Sequence, residues 1–150
     1  MFTSFSTQIA PDFGWVDFSR DSEVVGWSSF DTNGKILIYK IVDNILYVIF
    51  RLDGTSNSTS AYFTVPVNMK REFQIGATPS DSTPLQMIFS CSSTDNNTLN
   101  AGSAFVSENT AFGKREGILV NCGFGTISGH STTWTSTGVK RVRGQFFIPI

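Results

Sequence analysis

The chain has few charged residues and no long apolar run. Charged side chains make up 15% of the 150 residues, against about 25% in an average soluble protein. The formal net charge of −1 gives no electrostatic reason to expect nucleic acid or an anionic membrane as a partner. No apolar run approaches about 18 residues, so we expect no membrane-spanning segment. The N-terminus lacks the basic and apolar regions of a signal peptide, and we expect none.

Cysteine and histidine are also scarce. Cys91 and Cys122 each fall in phase with an apolar face, which favours buried free thiols, with a disulfide as the alternative. The one histidine, His130, lies in a Gly- and Ser-rich loop with no pattern of a nucleophile and its base. No phosphate-binding, zinc-protease or calcium-loop motif is present. We therefore predict that the chain is not an enzyme and has no catalytic residue, metal or cofactor.

The strongest local pattern is a β-hairpin between Lys35 and Leu52. Two runs of β-branched, aromatic and aliphatic residues flank Asp43-Asn44, a pair that tolerates the left-handed backbone of a tight turn. Both faces of the second strand are apolar. One face carries Leu46, Val48, Phe50 and Leu52, and the other carries Ile45, Tyr47 and Ile49.

Both apolar faces of this hairpin must be shielded from water, whereas the single core of a two-layer sandwich buries only one face of each strand. Packing against further copies of the chain would bury the second apolar face. We therefore assign Ile45, Tyr47 and Ile49 as candidate residues of an oligomer interface.

The remaining sequence reads as short strands separated by polar loops, with no segment of helical spacing. This pattern predicts an all-β fold, an antiparallel β-sandwich of jelly-roll-like type. Residues 1–23 are predicted to be an N-terminal arm or lead-in segment, and residues 24–150 a single domain. The predicted further strands are Ala61–Val67, Leu85–Cys91, Ser103–Val106, Gly117–Phe124 and Val139–Ile148, and the predicted loops are Asp53–Ser60, Thr78–Pro84, Ser92–Asn100 and Ser128–Thr133.

Two stretches contain recognisable turn and strand motifs. In the first, Gly54-Thr55-Ser56-Asn57-Ser58-Thr59 stands for a G-T-S-N-S-T loop, and Phe63-Thr64-Val65-Pro66 for an F-T-L-P ending. In the second, the segment from Trp134 to Lys140 leads into Gly144-Gln145-Phe146-Phe147, similar to a W-T-A-S-G-T-K … G-Q-F-x-Y ending. With these motifs the two stretches resemble modules of bacteriophage tail-fibre and head-fibre proteins, notably from phages and prophages of Bacteroidetes. Val65 and Ile148 depart conservatively from the patterns of those modules.

The resemblance covers roughly residues 24–70 and 117–150, and it implies a homotrimeric fibre or spike domain. Such a protein is made in the cytoplasm of the bacterial host and is located in the virion. It contacts other virion proteins and attaches to the host surface. Two alternatives stay open: a trimeric capsid decoration protein, and a monomeric carbohydrate-binding module of a secreted protein.

If the chain binds a ligand, a host-surface glycan is the natural class. The apolar faces of sugars stack on aromatic rings, and their hydroxyl groups meet polar side chains in loops. Residue type alone suggests a candidate set, with a core position for each aromatic as the alternative. The set is Trp27, Tyr62 and Trp134, with Asn57, Asp95, Asn96 and Asn97 as polar partners.

Overall fold

The computed structural model describes residues 14–68, 87–108, 117–124 and 134–150. The described residues form nine β-strands, and every pair of neighbouring strands is antiparallel. The all-β antiparallel prediction is thus confirmed. In chain order the strands are β1 (Val16–Asp17), β2 (Val24–Val25), β3 (Trp27–Val42), β4 (Ile45–Ser56), β5 (Tyr62–Val65), β6 (Met87–Asp95), β7 (Thr98–Glu108), β8 (Ile118–Gly123) and β9 (Val139–Pro149).

The sheet is curled, with the order β1-β3-β4-β9-β6-β7-β8-β5-β2. β2 forms one edge and β3 lies next to the other edge, yet Gly26 alone joins these two strands. The sheet must therefore bend until its edges meet. Gly26 allows the connection because its φ of 120° lies outside the range that other residues readily adopt. Its carbonyl oxygen also accepts a hydrogen bond from the backbone of Asn57, at 3.2 Å.

The predicted hairpin is confirmed as β3 and β4. Val42 pairs with Ile45, so Asp43 and Asn44 form a two-residue turn. Their φ angles are 50° and 61°, and two successive positive φ values give the local twist that matches the flanking strands.

The core lies inside the curl. The inner face of β4 is buried as the alternation predicted: Leu46, Val48, Phe50 and Leu52 are all at most 2% exposed. The Phe50 ring lies 5.1 Å from the Phe63 ring of β5, which joins distant parts of the sheet through the core. Cys91 and Cys122 are free and buried, as predicted.

Two predicted loops are wrong. Ser92–Asn100 forms the end of β6, a turn at Asn96-Asn97 and the start of β7. Asn tolerates the positive φ of that turn, and Ser and Thr alternate well in strands. Likewise β4 continues to Ser56, so it includes part of the predicted loop Asp53–Ser60. The predicted loops Thr78–Pro84 and Ser128–Thr133 lie outside the described residues.

The described part of the predicted lead-in segment, residues 14–23, is joined to the sheet. Val16 and Asp17 pair with β3. The Phe18 side chain is 1% exposed and contacts the rings of Tyr39 and Phe63, at centroid distances of 5.7 and 6.4 Å. The described fold therefore includes residues before position 24.

In the part of the chain that the structure describes, there is no helix long and apolar enough to cross a membrane.

Candidate functional site

Both tryptophans of the predicted ligand set lie in the core, against one buried lysine. Trp27 and Trp134 are 7% and 1% exposed. Each ring centroid lies 5.3 Å from the Nζ atom of Lys140. Their indole N–H groups donate to the carbonyl oxygens of Lys140 and Cys122, respectively. Rings buried in this way offer no face to an external sugar, so these two residues leave the candidate ligand set.

Lys140 itself is fully buried, which is rare for an ammonium group. Its Nζ donates to the carbonyl oxygens of Ser58, Ser60 and Gly26, at 2.6, 2.9 and 3.1 Å. Burial lowers the pKa of Lys140 to about 8, although the nearby Asp95 carboxylate acts in the opposite direction. The side chain therefore binds the loop after β4 to the start of β9.

Asp95 and Asn96 also hold this part of the chain together. One oxygen of Asp95, Oδ2, accepts hydrogen bonds from the backbone N–H and hydroxyl of Thr135, both at 2.9 Å. The amide of Asn96 donates to the carbonyl of Thr137 and accepts from the backbone of Val139. These hydrogen bonds occupy one oxygen of Asp95 and the amide of Asn96, two residues predicted to bind a glycan.

The other predicted ligand residues lie on three separate elements. Asn57 is exposed in the loop after β4, and Asn97 is exposed in the turn between β6 and β7. Tyr62 is half-buried on β5, and its burial, with a smaller contribution from the charge of Glu23, raises its pKa. None of the three lines the apolar groove or the polar pocket described below.

The outer face of β3, β4 and β9 has an apolar end near the Asp43-Asn44 turn. Cross-strand pairing places Val42, Ile45 and Pro149 in one row, and Tyr47 and Phe147 in the next. Tyr47 is 38% exposed and Phe147 60%, and their rings lie 6.0 Å apart. The predicted interface residues Ile45, Tyr47 and Ile49 share this face. We call Val42, Ile45, Tyr47, Ile49 and Phe147 the apolar patch.

A groove of about 390 Å³ lies at this patch. It forms near the point where β6 diverges from β9, because the pairing of these strands ends at Cys91 and Gly144. A Cβ atom at position 144 would lie 2.6 Å from the buried Phe50 ring, so any residue other than Gly144 would require that ring to shift. The groove is mainly apolar, and it is lined by Trp15, Tyr47, Val48, Ile49, Phe89, Gln145, Phe146 and Phe147.

The other end of the same outer face is rich in arginine. The buried Asp53 carboxylate accepts two hydrogen bonds from Arg143, at 2.6 and 3.2 Å, and one from Arg51, at 2.7 Å. Burial alone raises the pKa of Asp53, but the bonds and charges of the two arginines outweigh it and hold the pKa below its ordinary value. Arg141 lies opposite Asp53 in the pairing of β4 and β9.

A small polar pocket of about 140 Å³ adjoins these arginines. It is lined by Ser92, Thr94, Leu99, Arg141 and Arg143. Cross-strand pairing brings them together, since Ser92 faces Arg143, and Thr94 lies between Arg141 and Leu99. We call these five residues the arginine pocket. Sequence reasoning missed it, because only the pairing of β9 with β6 assembles it.

Within the ranges that the structure describes, no group of three His, Cys, Asp or Glu side chains is placed to hold a metal ion. His130 lies outside those ranges. Comparison of the chain with protein-family models, with curated proteins and with solved structures found no match.

Proposed function

We propose that this chain is a non-enzymatic structural and adhesive protein of a bacteriophage virion, the tip domain of a fibre or spike that attaches to the host surface. The observation that carries the proposal is the exposed apolar patch on a sheet whose opposite face already covers the core. A monomer in water gains nothing from exposing Tyr47 and Phe147 side by side.

Homotrimeric association is the second part of the proposal. Three copies related by a threefold axis bury three equivalent patches in a closed assembly. Ile45, Tyr47 and Ile49 then lie between subunits, and the finer fold is a jelly-roll-like β-sandwich. The curl of the sheet supports that fold, since it packs β4 against β5 across one core.

The family resemblance supports the virion context through the positions of its motif residues. The loop Gly54–Thr59 and the segment Trp134–Lys140 are distant in sequence, yet they meet at Lys140. Ser56 strengthens this contact by donating its hydroxyl to the carbonyl of Thr135, at 2.6 Å. The two motifs thus form one structural unit in this chain, as expected if both belong to a single module.

The mass of the protein in solution tests the trimer. Light scattering behind a sizing column should give about three times the chain mass of 16.5 kDa. Tyr47→Asp should reduce the mass toward that of one chain, because it places a charge in the apolar patch. Ile88→Asp is the matched control: Ile88 is 41% exposed, close to the 38% of Tyr47, but lies on β6 outside the patch.

A monomeric wild-type protein would contradict the trimer and favour the carbohydrate-binding module. If the protein is trimeric, a specific antibody located on virions by electron microscopy separates the remaining alternatives. Label at fibre or spike tips supports the proposal, whereas label spread over the capsid favours a decoration protein. Absence of label from virions would reject both.

A further inference from the structure

The arginine pocket has the chemistry of a binding site that neither the motifs nor the apolar patch explains. We propose that Ser92, Thr94, Leu99, Arg141 and Arg143 bind an acidic sugar, a saccharide unit that carries a carboxylate or phosphate group. The role of this pocket as a receptor site rests on the proposed function. Its binding of an acidic sugar can be tested on the purified chain alone.

Arg143 is held in place before any ligand arrives. Its Nε and Nη2 atoms bond to the two oxygens of Asp53, at 3.2 and 2.6 Å. The Asp53 side chain is 2% exposed, whereas that of Arg143 is 50% exposed. A buried carboxylate thus fixes a guanidinium group that remains open to solvent. Binding to a fixed side chain loses less conformational entropy than binding to a mobile one.

Three arginines, Arg51, Arg141 and Arg143, share this end of the outer face. The Asp53 carboxylate binds Arg51 and Arg143, and Arg141 has no ion pair with any residue that the structure describes. The three guanidinium groups therefore carry more positive charge than Asp53 neutralises, although the whole chain has a net charge of −1. Guanidinium groups bind carboxylate and phosphate oxygens through charged hydrogen bonds.

Two hydroxyl groups and one apolar side chain form the other walls of the pocket. The hydroxyl groups of Ser92 and Thr94 form no hydrogen bond with the described residues, so both are available to sugar hydroxyls. Leu99 is 72% exposed and supplies an apolar wall of the kind that packs against sugar C–H groups. The pocket volume of about 140 Å³ is small, so it can hold one sugar unit or the charged substituent of that unit, but not a long saccharide chain.

The test is a calorimetric or NMR titration of the purified protein with sodium D-glucuronate. D-glucose is the neutral probe, and glucose 6-phosphate carries the other acidic group. We expect saturable binding of at least one acidic sugar, and weaker or absent binding of glucose. The stronger of the two acidic probes identifies the preferred oxyanion. Binding should weaken with added salt, because the contacts are partly exposed.

Arg141→Gln is the decisive variant, since Arg141 lines the pocket but has no ion pair with the described residues whose loss would disturb the fold. It should weaken acidic-sugar binding by roughly tenfold or more, the effect of losing a charged hydrogen bond. Arg20→Gln is the control: it removes the same charge from an exposed turn residue between β1 and β2.

Three results would overturn the inference: no saturable binding of either acidic sugar, equal binding of glucose, or unchanged binding by Arg141→Gln. Light scattering on the same sample keeps the two proposals separate. A trimer that binds no acidic sugar rejects the sugar site alone. A monomer that binds one rejects the trimer and leaves the sugar site supported.

Discussion

Trp27 and Lys140 hold each other through two different contacts. The indole N–H of Trp27 donates to the backbone carbonyl of Lys140 at 3.1 Å, and the Lys140 ammonium lies 5.3 Å from the centroid of the Trp27 ring. One contact fixes the main chain of β9 and the other its side chain. Because β4 lies between β3 and β9 in the sheet, this pair of residues joins two strands that are not neighbours.

Replacing Lys140 by methionine should lower the free energy of unfolding by roughly 2 kcal/mol. Methionine removes three hydrogen bonds from a charged donor, each of a kind that contributes about 1.5–3 kcal/mol, but it also removes the cost of burying an ammonium group. The Gly26 carbonyl keeps its bond from Asn57, and the loop of Ser58 and Ser60 is partly exposed to water, so the net loss is smaller than the sum of the three bonds. Urea denaturation measures the change. Lys40→Met is the control. Lys40 is a half-buried residue of β3, and its replacement should change the free energy of unfolding by about 0.5 kcal/mol or less. Equal effects of the two variants would contradict the role of Lys140.

The buried lysine also predicts a dependence of stability on pH. Folding lowers the pKa of Lys140 from 10.5 to about 8. Between these two values the unfolded chain binds the proton more readily than the folded chain, so the contribution of this group to stability rises with pH. The difference in stability between wild type and Lys140→Met should therefore increase from pH 8 to about 10.5. A constant difference across that interval would show that the Lys140 pKa is not lowered.

Much of the fold could be predicted because its signals are local. The alternation of Leu46, Val48, Phe50 and Leu52 predicts the buried face of β4, and Asp43-Asn44 predicts its turn. The turn at Asn96-Asn97 carries the same kind of signal, but the surrounding Ser and Thr residues suggested a loop. Strand order could not be predicted in this way, since it depends on contacts between residues far apart in sequence.

The site was harder to predict, because its chemistry arises from pairing between distant strands. Lys140 lies in phase with Val142, Phe146 and Ile148, which places it on the buried face of β9. That phase was the available signal, but a lysine is usually assigned to the surface. No local pattern identifies Asp53 as the partner of Arg143, since this contact requires the register between β4 and β9.

Both cysteines should resist modification in the native protein. Burial raises the pKa of Cys91 and, more strongly, that of Cys122, so little of the reactive thiolate forms near neutral pH. A thiol reagent such as dithionitrobenzoate should react slowly with the folded chain, and with two thiols per chain after denaturation. Fast reaction without denaturant would contradict their burial. Failure of both thiols to react after denaturation would indicate a disulfide.

Asp53→Asn should destabilise the arginine-rich end of the sheet by roughly 2 kcal/mol at neutral pH. The amide keeps the shape of the carboxylate but loses the charge that Arg51 and Arg143 bind, and hydrogen bonds to charged groups contribute about 1.5–3 kcal/mol. Because the pKa of Asp53 is held below 3.8 in the folded chain, its contribution is fully present above that value and decreases as the pH falls through the folded pKa. Urea denaturation of both proteins from pH 6 downward measures this. The stability difference should be constant at first and then shrink in acid. A stability difference that grows in acid would contradict the lowered pKa of Asp53. Asp43→Asn, which makes the same change at an exposed turn position, is the control.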